Sequence, residues 1–323
     1  MPSAVKSLKV TYKPVNEDNT FTSGDWVSGE VSLELAKECS IDALWVKFKG
    51  KAEVLWSKSY GQTTVYHSKD KYFHRQAKVV VSNQNKYKYF SLKHFFIQKK
   101  DTKENRVVAA GHHVYPFSFQ VPFQDLPSSF KGSAGKIVYL LEAKLSRSMR
   151  IPTKDSTTIN FVSKEAIDPR LMKPQHESKD KKMKVFNSGT VAVDVNLEKT
   201  GFFQGEGLKV MALIQNNSSR PIKLKYCVYR KHTVLAEGNQ NVITKDLLKE
   251  VGEPIPPSAE EKFTKVILIP SDVEPSIKKC YIIKVENRLR VNLDVKYASN
   301  PEIKFPIVIL LTRRVPAASG VSR

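Results

Sequence analysis

The residues that could support catalysis or ligand binding stand in the wrong context for the known motifs. Gly205-Glu-Gly207 lacks the third glycine of a dinucleotide-binding loop, and Gly135-Lys136 lacks the earlier glycine and the following hydroxyl residue of a phosphate-binding loop. Gly132-Ser-Ala-Gly135 has the wrong spacing for a nucleophile elbow. His112-His113 could bind a metal, but adjacent residues of a strand point to opposite faces. The sequence therefore predicts no enzyme, no cofactor and no metal site.

The cysteines also argue against chemistry at sulfur. They are far apart and lack the close spacing of a metal site or a redox motif: Cys39, Cys227 and Cys280. Lys6 and Lys9 stand where the apolar part of a signal peptide would lie, and the longest apolar run, 307–311, is too short to cross a bilayer. We therefore expect a cytosolic protein.

One segment mixes aromatic residues with lysines in a way that is compatible with nucleic-acid binding. Between Tyr72 and Ile97 the lysines alternate with Tyr87, Tyr89 and Phe90, which could stack on bases. In a protein made of two packed sheets, however, half of such aromatic side chains face the core. This pattern therefore argues against nucleic acid as a partner, and a DNA-binding immunoglobulin-like protein is the alternative of a different functional class.

The pattern that must position any site is that of strands. Apolar and polar residues alternate along many short segments, as in Val31, Leu33 and Leu35, whereas helical periodicity is almost absent. Only Asp246 to Val251 is predicted to form a helical turn. Short strands separated by Gly, Pro, Asn and Asp are typical of sandwiches. The predicted fold class is all-β, with two tandem immunoglobulin-like β-sandwich domains.

The domain boundaries follow from the place where the strand pattern stops. Prolines and a run of charged residues occupy 168–184, and this segment is predicted to be the interdomain linker. The first sandwich is then assigned to residues 1–167 and the second to 185–315, with a short flexible tail over 316–323.

An internal repeat supports two related domains. Phe21 to Val27 aligns with Phe202 to Leu208, so that Gly24-Asp25 coincides with Gly205-Glu206. Further along, Leu126-Pro-Ser128 matches Glu274-Pro-Ser276. Allowing for a short loop in the first half, Tyr139 is then expected to correspond to Tyr281. These landmarks are predicted to shape turns and crossings between strands and not to form a site.

An ordered set of motifs in this chain resembles the arrestin fold and, within it, the α-arrestins, also called arrestin domain-containing proteins. The motifs are Phe21-Thr-Ser-Gly-Asp-Trp-Val-Ser-Gly29, Ile41-Asp-Ala-Leu-Trp-Val-Lys-Phe-Lys-Gly50, Tyr115-Pro-Phe-Ser-Phe-Gln-Val-Pro122, Leu126-Pro-Ser-Ser-Phe130 and Ala166-Ile-Asp168. The resemblance implies two β-sandwiches that serve as a cytoplasmic adaptor. Such an adaptor docks on cytoplasmic regions of membrane receptors or transporters and assists their ubiquitination, endocytosis and endosomal sorting.

The resemblance also implies recruitment of WW-domain ubiquitin ligases through a Pro-Pro-x-Tyr motif. This sequence departs from that pattern, because its Pro256-Pro257 pair is followed by Ser258-Ala259. The expected location is the cytoplasm, with recruitment to endosomes and to the inner face of the plasma membrane. A coat subunit for sorting, like the arrestin-like component of retromer, is the alternative within the same fold.

The net charge of +21 predicts an acidic partner, such as an anionic membrane surface or an acidic receptor tail. Residues 1–165 contribute +11 and residues 166–323 contribute +10, so both domains are cationic. Within the first, Lys69 to Arg106 carries +8. The residues predicted to form an anion-binding surface are Lys86, Lys88, Lys93, Lys99 and Lys100. An exposed edge strand offers a second way to bind a peptide.

Overall fold

The computed structural model describes residues 4–79, 106–163, 168–182, 189–295 and 300–311, without the side chains of Tyr60 and Arg106. The chain divides into two compact units, Met1–Lys164 and Glu165–Arg323. Within the described residues, strands and their connections account for both units apart from one 3-10 turn, Pro169–Met172. This confirms the all-β fold class.

The described residues of the first unit form eleven strands. They are β1 (Val5–Tyr12), β2 (Thr20–Phe21), β3 (Trp26–Leu35), β4 (Cys39–Ile41), β5 (Ala43–Tyr60), β6 (Gln62–Val79), β7 (Arg106–Val108), β8 (Gly111–Gln120), β9 (Phe130–Lys131), β10 (Gly135–Arg147) and β11 (Arg150–Phe161). One sheet has the order β1-β3-β8 and the other β2-β11-β10-β5-β6, with β9 beside β10. Strands β4 and β7 form a separate ribbon.

The core of the first unit lies between its two main sheets. Strand alternation turns every second side chain inward, so Leu33 of β3 and Phe48 of β5 are almost fully buried. The rings of Phe48 and Phe119 come from different sheets, and their centroids lie 6.1 Å apart. Tyr139 of β10 is fully buried, and its hydroxyl donates a hydrogen bond to the Pro127 carbonyl at 2.6 Å. The bond satisfies the one polar group of that side chain inside the apolar layer.

The second unit repeats this plan, with nine strands in the part of it that the structure describes. They are β12 (Gln175–Lys182), β13 (Gly189–Leu197), β14 (Gly201–Phe203), β15 (Gly207–Ser218), β16 (Ile222–Ala236), β17 (Asn239–Ile255), β18 (Ala259–Leu268), β19 (Ile283–Asp294) and β20 (Glu302–Leu310). The sheets have the orders β12-β13-β15-β18 and β14-β20-β19-β16-β17. The second order matches β2-β11-β10-β5-β6 strand for strand.

The repeated turn predicted from the sequence has the same hydrogen bonds in both units. The Gly24 amide donates to the Val121 carbonyl at 3.1 Å, and the Gly205 amide donates to the Ile269 carbonyl at 3.0 Å. Both glycines have positive φ, +88° and +78°, a conformation that side chains with a Cβ rarely adopt. The acid that follows each glycine accepts a hydrogen bond from a backbone amide. Asp25 accepts from the Thr22 amide at 2.8 Å, and Glu206 accepts from the Phe203 amide at 2.7 Å.

The later part of the repeat has a different register from the one predicted. Ser129 bonds to Phe161 through both its amide and its hydroxyl, and Ser276 does the same with Ile309. Two residues before Phe161, Ile159 pairs with Tyr139 on β10. Two residues before Ile309, Ile307 pairs with Asn287 on β19. The counterpart of Tyr139 is therefore the buried Asn287, and the predicted match to Tyr281, which is 84% exposed, was wrong.

The segment predicted as a linker contributes structure to the second unit. The Asp168 carboxylate accepts from the Arg170 amide at 2.9 Å and caps the 3-10 turn. Residues 175–182 then pair with β13 as an edge strand, from Gln175 opposite Leu197 to Lys182 opposite Thr190. Charged side chains are typical of an edge strand because they discourage pairing with other chains. A charge run alone does not distinguish such a strand from a loop.

The predicted helical turn at Asp246 to Val251 was wrong, because these residues lie within β17 and pair with β16. Backbone pairing with the neighbouring strand of the same sheet outweighs a helical pattern of one turn.

The Pro256-Pro257 pair lies in the turn between β17 and β18. Asn216 is fully buried and its side-chain amide donates to the carbonyls of Arg220, Ile255 and Pro256 at 2.9, 3.1 and 2.9 Å. The proline pair is thus held by the fold of the second unit.

Candidate functional site

The candidate site is the outer face of the sheet formed by β5, β6, β10 and β11 in the first unit. Val46, Phe48 and Ala52 point into the core, so the residues between them along β5 point outward. The register places these outward positions beside outward positions of β6 on one side and β10 on the other. We call this surface the lysine face, after the side chains described next.

Lysines dominate this face. From the alternation and the register, its outward lysines are Lys47, Lys49, Lys51, Lys69, Lys71, Lys78, Lys136, Lys144 and Lys154. Among the described residues, the acidic side chains on the same outward positions are Glu53 and Glu142. The face therefore carries a large excess of positive charge.

Glu53 is shared by several cations. Its carboxylate lies 2.9 Å from Lys51 Nζ, 3.4 Å from Lys69 Nζ and 3.7 Å from Lys136 Nζ. The His67 ring lies 3.4 Å away on the same carboxylate. The hydrogen bond from Lys51 is the main cause that lowers the pKa of Glu53 to about 2, with further contributions from His67 and Lys69 and against the effect of burial. One carboxylate cannot neutralise three lysines.

Glu142 stands in a similar position further along the sheet. Its carboxylate accepts from Lys49 at 3.1 Å and lies 4.0 Å from Lys47. Burial opposes ionisation of this carboxyl, but the Lys49 hydrogen bond and the nearby lysine charges lower its pKa on balance. Burial, followed by the charges of Lys49 and Lys47, lowers the pKa of His74. Additional positive charge on this face is therefore disfavoured.

The arrangement is unfavourable for folding. Lys144 on β10 stands directly opposite Lys154 on β11, and like charges at facing positions destabilise a sheet. Lys47 is only 19% exposed at its side chain, so part of this charge is removed from water. Local arrangements that oppose stability are typical of functional surfaces. The geometry is suited to bind an extended or flat anionic partner.

The corresponding face of the second unit is different. On the outer side of β16, β17, β19 and β20, each acid has a cation beside it: Lys225 with Asp294 at 2.8 Å, Lys249 with Asp246 at 2.8 Å, Arg288 with Glu286 at 3.5 Å, Arg290 with Glu302 at 3.7 Å and Lys304 with Glu302. We call this the paired face. Lys231 also lies 3.7 Å from Glu286, and Arg290 lies 3.5 Å from Asp246, so these four acids are shared among six cations. The excess of positive charge is therefore smaller than on the lysine face, and the paired face offers a weaker field to a partner.

The lysines proposed from the sequence have a mixed outcome. Lys86, Lys88, Lys93, Lys99 and Lys100 lie outside the described residues, so their prediction is untested. Lys69, Lys71 and Lys78, from the start of the same basic stretch, do belong to the lysine face. The sequence reasoning missed Lys47, Lys49 and Lys51, although their alternation with core residues along β5 was visible.

The other residues considered for chemistry do not gather into a site. Within the ranges that the structure describes, no three His, Cys, Asp or Glu side chains are close enough together to hold a metal ion. His113 Nε2 lies 2.9 Å from the Ala109 carbonyl oxygen, so one ring nitrogen is engaged in a hydrogen bond with the connection between β7 and β8. The same described residues contain no helix with the length and apolarity needed to span a membrane.

Comparison with known proteins identifies both halves of the chain. Residues 9–167 match the family model described as Arrestin (or S-antigen), N-terminal domain, and residues 187–313 match Arrestin (or S-antigen), C-terminal domain. Arrestin domain-containing protein 4 is 26% identical in Mus musculus and 28% in Homo sapiens, over 94% of this chain and 72% and 71% of those proteins. Thioredoxin-interacting protein of Homo sapiens is 26% identical over 94% of this chain and 74% of its own length.

Proposed function

This chain belongs to the arrestin family and is of the α-arrestin type. Because this relationship supports an adaptor role, we propose that the protein docks on acidic segments of membrane proteins. The docking surface is the lysine face of the first unit. The segments are the cytoplasmic regions of receptors or transporters.

The observation that supports this proposal is the uncompensated charge of the lysine face. Glu53 is surrounded by Lys51, Lys69 and Lys136, whereas the paired face has four acids among the six cations that contact them. The rate of association with an oppositely charged partner is high in such a field and falls as ionic strength increases. An acidic peptide laid across β5, β6 and β10 contacts several lysines at once.

The test is a binding titration with a fluorescent acidic peptide that carries several Asp, Glu or phosphoserine residues. Changing Lys47, Lys49 and Lys51 to Glu is expected to lower affinity by at least about tenfold, since three favourable charge contacts become repulsive. The matched control changes Lys209, Lys223 and Lys262 of the second unit to Glu. The total charge change is identical, so equal losses in both variants would contradict a defined docking face.

The same titration distinguishes nucleic acid from an acidic peptide as the partner of the lysine face. Duplex DNA added as a competitor should displace the peptide only with a strong, sequence-independent salt dependence. Sequence-selective displacement at physiological salt would favour the DNA-binding alternative instead.

We further propose that the docked protein assists ubiquitination, endocytosis and endosomal sorting of its membrane partners, and that it acts in the cytoplasm, at endosomes and at the inner face of the plasma membrane. The α-arrestin relationship supports this. A ubiquitin ligase of the WW-domain type is included among the proposed partners. The Pro256-Pro257 pair is not a Pro-Pro-x-Tyr motif, because Ser258-Ala259 follows it and Asn216 holds Pro256 in a turn.

Proximity labelling in cells tests that proposal. The chain is compared with the same chain carrying a grafted Pro-Pro-x-Tyr segment at its C-terminal end. Ligase recovered equally from both chains would support binding by the domains. Recovery only with the graft would show that the domains alone do not bind the ligase.

The predicted anion-binding role of Lys86, Lys88, Lys93, Lys99 and Lys100 is retained as part of this proposal. Charge reversal at these five positions is expected to abolish binding to phosphatidylserine liposomes at low salt, because each cation near such a surface contributes about 1 kcal/mol. Unchanged binding would remove these residues from the surface.

A further inference from the structure

The hairpin that joins β10 to β11 ends in apolar side chains with no apolar partner. We call residues 147–151 the hairpin tip. Met149 is fully exposed, at 101% of its reference area, and Ile151 is 90% exposed. They are the two most exposed large apolar side chains of the described residues. Single exposed apolar residues are ordinary, but two such residues at the end of one projecting hairpin indicate a contact surface.

The fold of the unit does not require these residues at the tip. Met149 has φ +58°, in the left-handed region where Gly or Asn is favoured and a long side chain is disfavoured. Arg147 faces Arg150 across the turn, so the pairing of the strands holds Met149 at the outermost position. A strained apolar residue that contributes nothing to the core points to a function outside it.

The surroundings of the tip are basic. From Ala143 to Lys154 the sequence contains Lys144, Arg147, Arg150 and Lys154 and no acidic residue. Arg147 donates to the Thr153 hydroxyl at 3.3 Å, which orients one of the guanidinium groups beside the tip. An apolar end bordered by cations is complementary to the boundary between acyl chains and anionic headgroups in a bilayer.

We propose that the hairpin tip inserts into the headgroup region of an anionic membrane. Met149 and Ile151 reach the upper acyl region, while Arg147 and Arg150 contact the lipid phosphates. This inference rests on the proposed docking at membrane proteins and adds a membrane contact by residues that the docking does not use.

The position of the tip relative to the lysine face supports a lipid surface as the occupant. Lys144 and Lys154 belong to the face and lie at the end of the sheet that carries the tip. With the tip in the bilayer, this end of the face is adjacent to the membrane, where cytoplasmic segments of membrane proteins emerge. The cations of the face also add attraction to anionic lipid.

The first test is co-sedimentation of the whole chain with vesicles of phosphatidylcholine containing phosphatidylserine. The variant Met149→Ser with Ile151→Ser removes apolar surface and leaves the charge unchanged. Its partition coefficient is expected to fall about tenfold, because the apolar contribution to binding scales with the buried area. The control variant Tyr281→Ser with Leu268→Ser removes two other exposed apolar side chains and should bind as the wild type does.

A second measurement reports insertion directly. Met149→Trp places a fluorophore at the tip, and its emission is compared with that of the wild type, which contains Trp26, Trp45 and Trp56. Quenching by lipids brominated in the upper acyl chain should exceed the wild-type value. The same measurement on Tyr281→Trp should show no increase.

The outcomes separate this inference from the proposed function. Wild-type binding that persists in the serine pair, with no added quenching at position 149, overturns the inference and leaves the docking function standing. A wild-type chain that does not bind anionic vesicles overturns the inference as well, while the acidic-peptide titration judges the docking function. A serine pair that changes only the self-association of the chain assigns the tip to a second copy and also overturns the inference.

Discussion

The two units share a sheet with one strand order and differ on its outer face. Strands β2-β11-β10-β5-β6 of the first unit correspond to β14-β20-β19-β16-β17 of the second, and an equivalent glycine turn follows β2 and β14. On the lysine face, Glu53 is shared among several cations, whereas the paired face sets Lys225 against Asp294 and Arg290 against Glu302. The repeat has kept buried positions and hydrogen-bonded turns and has diverged on the solvent side.

This difference shows why the charge of each half is a poor guide to function. The halves carry +11 and +10, yet on the described outer faces the excess of positive charge is larger in the first unit than in the second. Net charge measures how many cations a domain has. The field that a partner meets depends on whether an acid stands beside each of them.

The largest expected effect tests the structural register of the repeat. Tyr139→Ala removes a fully buried ring and its hydrogen bond to Pro127, and it should reduce the free energy of unfolding by about 3 to 5 kcal/mol. Tyr281→Ala should change it by less than about 0.5 kcal/mol, since that side chain is exposed. Chemical denaturation measures both, and equal losses would restore the register predicted from the sequence.

A smaller effect is expected at the charges that distinguish the two faces. Glu53→Gln leaves Lys51, Lys69 and Lys136 without their shared partner and should destabilise the first unit by about 1 to 2 kcal/mol, after allowance for screening by solvent. It should also strengthen acidic-peptide binding, because the face becomes more positive. Asp294→Asn, which breaks one compensated pair of the paired face, should cost about 0.5 kcal/mol and leave peptide binding unchanged.

The low pKa of Glu53 gives the same prediction a pH dependence. A carboxyl whose pKa in the folded state is below its ordinary value stabilises the fold above that ordinary value and loses the contribution as it becomes protonated. For Glu53 the loss falls between pH 4.5 and about 2. The stability difference between wild type and Glu53→Gln should therefore shrink over this range. A constant difference down to pH 2 would contradict the charge argument.

A loss of about the same size is expected at a hydrogen bond that both units share. Ser129→Ala removes a hydroxyl that accepts a hydrogen bond from the Phe161 amide at 2.9 Å. Ser276→Ala removes the equivalent hydroxyl, which accepts from the Ile309 amide at 3.0 Å. Each change should cost about 1 kcal/mol of unfolding free energy. Denaturation of the two variants should give similar losses, and a loss in only one unit would show that the serines are not structural equivalents.

The sequence was sufficient for the class of fold, its duplication and its family. Alternation such as Val31, Leu33 and Leu35 depends on the two-residue period of a strand, and the Gly24 and Gly205 turns depend on positive φ. Both are local properties of the chain. They can be recognised without knowing which strand lies next to which.

The tertiary structure decided the register of β19, the strand at residues 175–182 and the composition of the lysine face. Lys51, Lys69 and Lys136 are distant in the sequence and meet at Glu53 only because β6 and β10 flank β5 in one register. A shift of one residue would turn these side chains into the core. The segment 175–182 reads as a charged linker and becomes a strand because β13 offers it an edge. Pairing between distant segments settles such features, and no local pattern contains that information.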